Sequence, residues 1–201
     1  MHESSKSIFH KIKDSRYATR YLVGHGIDIG AGNDSIAQYH EFFPFMMSCR
    51  SWDLPDGDAE LMASVQDHSF DFVHSSHCLE HMRNAKNALH NWLRVLKPGG
   101  HLICIIPDED MYEQGVFPST FNSDHKHTFT IFKKKSWSKN SINVLEMLSE
   151  VKIPIEIKKI ELLDATFRYQ LNQQLGQPRF DQTLTPVGEC GIEFVIKKLP
   201  A

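Results

Sequence analysis

Long apolar runs, closely spaced cysteines and an excess of positive charge are all missing from this chain. Its longest apolar run covers only residues 102–106, far short of the roughly 20 residues that a membrane-spanning helix needs. The four cysteines are scattered, without the CxxC spacing of zinc ribbons and redox motifs. The net charge of -3 provides no basic footprint for nucleic acid. We therefore expect a cytoplasmic protein with reduced thiols, no membrane insertion and no nucleic-acid partner.

The remaining composition is that of one ordinary globular domain. Hydrophobic residues make up 41% and charged residues 23% of the 201 residues, close to the averages of folded soluble domains. A chain of this length buries roughly 70% of the surface that its unfolded form exposes, which suffices for a full core. Neither an internal repeat nor a change of composition marks a second domain, so residues 1–201 are predicted to form one domain.

Strand and helix patterns alternate through the first half of the chain. Strands are predicted at residues 26–29, 45–52, 70–74 and 101–106. An amphipathic helix is predicted at 84–96, ended by Pro98 and the glycines after it. Alternating patterns at 153–157 and 192–196 predict a further strand pair, with an extended loop between them. This order predicts an α/β fold, namely a Rossmann-like, doubly wound, mostly parallel sheet with an antiparallel carboxyl-terminal strand pair.

A glycine-rich turn with the sequence DIGAGND, residues 28–34, follows the first predicted strand. Glycine allows backbone to approach a ligand closely, because no Cβ intervenes. The dinucleotide fingerprint GxGxxG would require glycine where Ser35 stands, so an NAD site matches imperfectly. Asp53, after the second strand, lies at the spacing of a carboxylate that binds ribose hydroxyls. Alternatively, Asp53 only begins the turn at 54–57.

Four more segments follow this turn in an informative order. They are residues 57–60 (GDAE), 67–73 (DHSFDFV), 79–81 (LEH) and 94–100 (RVLKPGG). Together with the glycine turn they resemble the successive signatures of class I S-adenosylmethionine-dependent methyltransferases, over about residues 20–107. The resemblance implies that S-adenosyl-L-methionine binds across the strand ends. It also implies methyl transfer to a small-molecule substrate, such as a sugar or a lipid head group.

The resemblance divides the predicted domain into four parts. They are an amino-terminal helical lid (1–23), a cofactor-binding core (24–107), substrate-side loops (108–140), and a last helix with the strand pair (141–201). The resemblance implies that the amino-terminal helix closes the pocket, and the substrate-side loops are expected to overhang the transferred methyl group.

Individual cofactor contacts are implied in the same way. They are Gly30 and Gly32 with the methionine part, Asp53 with the ribose hydroxyls, Asp58 and Ala59 with the adenine, His77 beneath the sulfonium, Tyr17 and Arg20 of the lid with the aminoacyl end, and Asp28 at the start of the turn. The sequence departs from the family at Asp34, which replaces the usual third glycine. The stretch from Asp53 to Asp58 is also too short for a helix, so either aspartate could hold the ribose.

Side chains beyond the fourth predicted strand are expected to face the transferred methyl group, because ligands of open α/β sheets bind outside the carboxyl ends of strands. Asp108 and Tyr112 are predicted to contact the substrate. His81, His125 and His127 are candidate catalytic residues, since histidine can accept a proton near neutral pH. Alternatively, His81 only hydrogen-bonds a neighbouring loop.

A rival interpretation concerns residues 77–81 (HCLEH), which fit the inverted zinc-peptidase motif HxxEH. In that motif two histidines one helical turn apart bind zinc and the glutamate acts as a base. Glu146 or Glu150 would supply the third ligand. The position within the ordered methyltransferase segments favours methyl transfer, so no metal site is predicted. A second alternative is a noncatalytic protein that binds the adenosyl cofactor as a sensor or scaffold.

Overall fold

A computed structural model describes residues 3–172 and 178–200. The strands are β1 (Gly24–Ile29), β2 (Met46–Trp52), β3 (Phe70–Ser76), β4 (Leu96–Pro107), β5 (Thr128–Thr130), β6 (Ser141–Asn143), β7 (Ile155–Leu163) and β8 (Gly191–Lys198). The α-helices are α1 (Glu3–Lys11), α2 (Ala85–Val95), α3 (Val144–Ser149) and α4 (Tyr169–Asn172). In the described ranges, no helix has both the length and the apolar character that crossing a membrane requires.

Six strands form the main sheet in the order β2-β1-β3-β4-β8-β7. β2, β1, β3 and β4 are parallel neighbours, whereas β8 runs antiparallel between β4 and β7. This arrangement confirms the predicted α/β class, including the antiparallel pair at the carboxyl-terminal edge. Because the four parallel strands end at one edge, the segments that follow residues 29, 52, 76 and 107 meet there.

Helix α2 shows how the sequence positions one wall of that edge. Asn84 caps the helix by accepting a hydrogen bond from the Asn87 amide at 3.0 Å. Leu89, Trp92 and Leu93 lie buried on one face, against the sheet. The Trp92 indole N–H donates to the Ala59 carbonyl at 2.8 Å. The packed helix thereby holds the segment that follows β2.

The predicted amino-terminal helix is divided in two by the structure. α1 ends at Lys11, and a separate π-helical turn covers Tyr17–Tyr21. This break allows Lys11 and Tyr17 to approach the same buried carboxylate, that of Glu193 on β8. Residues 1–2 of the predicted lid and residues 173–177 of the predicted loop before β8 lie outside the described residues.

Candidate functional site

The glycine turn adopts the backbone that its sequence predicts. Gly30 and Gly32 have positive φ angles of 75° and 52°, which glycine adopts at little cost. The Gly30 amide donates to the Trp52 carbonyl at 2.9 Å. A Cβ at Gly30 would lie 2.6 Å from Cβ and Sγ of Cys78. The turn therefore packs closely against the ends of β2 and β3, and a larger residue at position 30 would displace it.

A cavity of about 620 Å³ opens beside this turn. Its volume lies within the range of about 300–1,000 Å³ that is typical of ligand pockets. Six residues of the sequence prediction line it, namely Gly30, Asp53, Asp58, Ala59, His77 and His81. We refer to it as the outer cavity.

The two candidate ribose ligands differ in their hydrogen bonds. The Asp53 carboxylate accepts from the Gly32 amide at 2.9 Å and from the Leu54 amide at 2.7 Å. It therefore begins the turn after β2, as the alternative interpretation has it, and also reaches the glycine turn, whereas its contact with ribose stays a prediction. Asp58 is exposed and accepts from the Glu60 amide at 2.7 Å.

A second cavity, of about 420 Å³, lies beneath α1 and shares Gly30, His77 and His81 with the outer cavity. We refer to it as the inner cavity. Glu3 and Ser4 of α1 line it, together with Gly32 and the turn around it. Sequence reasoning did not identify these two α1 residues. Their position depends on tertiary packing, and no local motif indicates it.

Asp34 attaches α1 to the glycine turn. Its carboxylate accepts from the Ser5 amide at 2.9 Å and from the Ser5 hydroxyl at 2.5 Å. The Tyr39 hydroxyl donates to the Ser5 hydroxyl oxygen at 2.7 Å. Asp34, which replaces the third glycine of the family's turn, thus holds α1 above the site.

Two predicted cofactor residues, Asp28 and Tyr17, have other partners in the structure, and a third, Arg20, lies on the surface. Asp28 is buried; it accepts from the Ile36 amide at 2.8 Å and lies 2.6 Å from Nδ1 of His74. Its carboxylate thus holds the turn together, although the residue also lines the inner cavity. Tyr17 donates its hydroxyl to Glu193, and Arg20 is exposed. Neither Tyr17 nor Arg20 is among the residues that line the two cavities.

His77 stands at the junction of the two cavities. It has a positive φ of 52°, uncommon for a non-glycine residue and enriched at functional sites. Its Nδ1 lies 3.4 Å from Oε1 of Glu80, and its Nε2 lies 3.8 Å from Oε2 of Glu3. Burial lowers the pKa of His77, but the two carboxylates outweigh this effect and raise its pKa above the ordinary value.

Two of the three candidate catalytic histidines come together. The rings of His81 and His125 meet edge to face, with centroids 5.0 Å apart. His81 Nδ1 lies 2.9 Å from Asp124, and His125 Nδ1 lies 2.7 Å from Glu113. The predicted loop contact of His81 is therefore present.

His127 is not part of this pair. Its ring packs edge to face against Phe129, with a centroid distance of 6.3 Å. Within the described ranges its buried Nε2 has no hydrogen-bond partner. The structure therefore separates His127 from the contacts that join His81 to His125.

The predicted substrate residues occupy different environments. Tyr112 lines a third cavity of about 540 Å³, together with Phe121, α1 residues and the chain around Thr183. Asp108 is buried and caps the turn after β4, accepting from the amides of Asp110 and Met111 at 3.0 and 3.1 Å. Burial raises the pKa of Asp108 to about 6, although these amides oppose the shift.

The zinc-peptidase arrangement is not formed. Residues 79–81 make a 3₁₀ turn, so His77 and His81 do not stand one α-helical turn apart. Glu150, offered as a third ligand, pairs with Lys86 on the surface. The peptidase interpretation therefore lacks the ligand geometry on which it depends.

Comparison with known proteins supports the resemblance that the sequence carries. Residues 16–104 match a family model described as a methyltransferase domain. The chain carries a methyltransferase domain. This match agrees with S-adenosyl-L-methionine as the cofactor, which the sequence resemblance implies. A comparison with curated proteins gave no match.

Solved structures share the fold of this methyltransferase over most of its length. A candidate methyltransferase of Bacillus halodurans has a TM-score of 0.57 at 18% identity, covering 95% of this chain and 98% of that one. An S-adenosylmethionine-dependent methyltransferase of Archaeoglobus fulgidus has a TM-score of 0.55 at 13% identity, covering 95% and 94%. A Haloferax volcanii complex of a methyltransferase activator with a candidate methyltransferase gives 0.54 at 13% identity, covering 98% and 90%. At these identities the likeness shows the fold.

Proposed function

We propose that this methyltransferase modifies a small-molecule acceptor that enters beside α1. The observation that carries the proposal is a row of three cavities in which neighbouring cavities share lining residues. Glu3 lines both the inner cavity and the cavity of Tyr112, and the inner cavity continues into the outer one at His77. Cofactor and acceptor would therefore approach His77 from two sides. A sugar or a lipid head group fits this arrangement better than a long polymer.

The residues at hand suit an adenosyl cofactor. Asp53 supplies a carboxylate for ribose hydroxyls, and Ala59 with the exposed Leu54 offers an apolar surface for the adenine. The glycine turn would receive the methionine part beneath α1. Bound there, the cofactor supplies a methyl group on a cationic sulfur. Two buried carboxylates beside one histidine, Glu3 and Glu80 around His77, favour a cation at this junction.

The chain's main task would be alignment, because prepaid orientation alone lowers a barrier by roughly 7–11 kcal/mol. His81 lines the outer and inner cavities and its ring meets that of His125, so this pair would take a proton from an acceptor hydroxyl or ammonium group. Proton removal by a positioned histidine contributes about 10²- to 10⁴-fold. Tyr112, whose buried hydroxyl has no hydrogen-bond partner among the described residues, would orient the acceptor.

Calorimetric titration with S-adenosyl-L-methionine tests the cofactor placement. Gly30→Val should abolish binding, because its side chain meets Cys78 and its φ is strained. Asp53→Asn should weaken binding about 10-fold or more, whereas Asp58→Asn, its matched control, should have the smaller effect. Wild-type affinity in Asp53→Asn, together with a large loss of affinity in Asp58→Asn, would show that Asp58 binds the ribose instead of Asp53. No binding of the cofactor or its demethylated product to folded wild type would contradict the proposal.

Turnover tests the acceptor side. His125→Ala should retain cofactor affinity and reduce formation of S-adenosylhomocysteine with a panel of sugars, phosphorylated sugars and lipid head groups. Its matched control is His127→Ala, which lies two residues away and outside the histidine pair. An equal loss of turnover in both variants would argue against a specific role for His125.

A further inference from the structure

The buried carboxylate of Glu80 lacks the partners that such a group ordinarily has. Glu80 is fully buried, and neither of its oxygens makes a hydrogen bond within the part of the chain that the structure describes. The groups nearest to Oε1 are histidine nitrogens, Nδ1 of His77 at 3.4 Å and Nε2 of His125 at 4.0 Å. Burying an ionised carboxylate without hydrogen bonds is costly unless it is paired or bound to a metal.

His125 and His81 complete a group of three donors around this carboxylate. One ligand atom from each of Glu80, His81 and His125 lies within 4.8 Å of the other two. The three residues come from two segments more than 40 positions apart, which the fold brings together. Small rotations of the side chains would close the group around one ion.

Each histidine of the group also contacts a carboxylate through its Nδ1, which leaves Nε2 for a metal ion. Asp124 holds Nδ1 of His81 at 2.9 Å, and Glu113 holds Nδ1 of His125 at 2.7 Å. A histidine that binds a metal almost always uses its second nitrogen in this way, which fixes the tautomer and strengthens the ligand. The carboxylate contacts of the two histidines are therefore a second observation, separate from the missing hydrogen bonds of the Glu80 carboxylate.

We propose that Glu80, His81 and His125 bind one divalent transition-metal ion at the wall of the cofactor site. Two imidazoles and one carboxylate suit Zn²⁺, Co²⁺, Mn²⁺ or Fe²⁺, whereas Mg²⁺ and Ca²⁺ prefer oxygen ligands alone. Three protein ligands leave at least one position open for water or another oxygen. This position would face the junction, because His81 lines both the outer and the inner cavity.

A consequence for the reaction rests on the proposed function. An acceptor oxygen bound at the open position would lose its proton to water more readily, since a metal lowers the pKa of a bound hydroxyl. Its lone pair would then form the bond to the methyl carbon, while the carbon–sulfur bond breaks and its electron pair stays on sulfur. In this role His125 acts as a metal ligand, and solvent takes the proton.

Metal binding is tested on full-length protein without a polyhistidine tag, after treatment with a chelator. Titration with Co²⁺ should give one equivalent and a visible absorption band, and Zn²⁺ should displace it. His81→Ala and Glu80→Gln should weaken Co²⁺ binding at least 100-fold. Glu113→Gln should weaken it about 10- to 100-fold, as loss of an outer-shell partner does. His127→Ala should bind as wild type does.

Two results would overturn the site. One is wild-type protein that binds less than 0.2 equivalents of Co²⁺ or Zn²⁺ at about 100 µM free metal. The other is unchanged affinity in His81→Ala, a partly exposed position where the fold tolerates the change. Calorimetry with S-adenosyl-L-methionine on the same chelated protein separates this outcome from failure of the proposed function, because cofactor binding does not require the metal.

Discussion

Two buried glutamates, Glu193 and Glu80, illustrate opposite uses of a charge in this protein. Both are fully buried. Glu193 accepts from the Tyr17 hydroxyl and contacts Lys11 at 3.0 Å and Lys159 at 2.9 Å. Among the described residues, the ionisable groups within 4.0 Å of the Glu80 carboxylate are two histidine nitrogens, at 3.4 and 4.0 Å. The first carboxylate is satisfied by the fold, whereas the second retains binding capacity.

The difference lies in what each carboxylate connects. Glu193 joins β8 to α1 and to the π-helical turn, so its partners fix tertiary structure. The surrounding cations, with Lys11 first, hold the pKa of Glu193 well below its ordinary value although burial opposes them. Glu80 lies next to His77 and His81, which line the cavities, and its oxygens make no hydrogen bond among the described residues. A buried charge with complete partners therefore indicates stability, and one without them indicates a site.

The comparison predicts its largest effect at Glu193. Glu193→Ala leaves Lys11 buried without its counter-ion, and breaking a buried pair costs about 3–5 kcal/mol of unfolding free energy. Urea denaturation measures this loss. Glu161→Ala is the matched control on the facing position of β7; it is exposed and pairs with Lys159, so it should cost about 1 kcal/mol or less. Equal losses of unfolding free energy in the two variants would contradict the structural role assigned to Glu193.

Asp108 provides an intermediate case, because its buried carboxylate accepts hydrogen bonds from two backbone amides and from no side chain among the described residues. Its pKa of about 6 exceeds the unfolded value, so the folded state favours the protonated form. The corresponding stability is complete below about pH 4 and is lost as the pH rises through about 6, by roughly 3 kcal/mol at 1.36 kcal/mol per pKa unit. Asp108→Asn keeps the capping oxygen and should remove this pH dependence. Urea denaturation between pH 4 and 7 compares the two proteins, and parallel profiles would contradict the assignment.

At Glu80 a smaller effect on stability is expected. In chelated protein, Glu80→Gln should change the unfolding free energy by about 1 kcal/mol or less, because an isosteric amide replaces a charge that lacked hydrogen bonds. Urea denaturation in the presence of a chelator measures this change. A loss as large as that of Glu193→Ala would show that Glu80 also serves the fold, and the comparison would fail.

The smallest change in stability is predicted where α1 meets the glycine turn. Ser5→Ala removes one hydroxyl bond to Asp34 and should cost about 1 kcal/mol or less. Cofactor dissociation should nevertheless become several times faster, because α1 covers the inner cavity. Stopped-flow measurements of dissociation test this, with Thr19→Ala as the control, since that hydroxyl binds only the Ser15 carbonyl on the surface. Equal dissociation rates in both variants would argue against α1 as a lid.

Much of the fold could be predicted because its signals are local. The apolar run of β4, the cap at Asn84 and the stop at Pro98 each act within a few residues, and together they predict alternating strands and helices. The outer cavity was predictable as well. Asp53 and His77 follow strands directly, and the carboxyl ends of parallel strands meet at one edge.

The remainder depends on contacts between distant residues. Tyr17 has the spacing of a lid residue, but its hydroxyl faces Glu193, which lies 176 positions away. Glu3 lines the inner cavity because the hydrogen bonds between Ser5 and Asp34 hold α1 beside the glycine turn. The missing hydrogen bonds of the Glu80 carboxylate could not be predicted, because they depend on how the loop that carries His125 folds over it. None of these contacts can be predicted from a local sequence pattern.

The indole of Trp52 gives this protein a built-in optical reporter. Trp52 is buried at the end of β2, and the Arg50 guanidinium lies 4.9 Å from the centroid of its ring. The Trp92 indole N–H donates to the carbonyl of Ala59, a residue that lines the outer cavity. Occupation of the outer cavity will therefore perturb intrinsic fluorescence at these two positions. Ligands can be screened with unlabelled protein, before any acceptor is known.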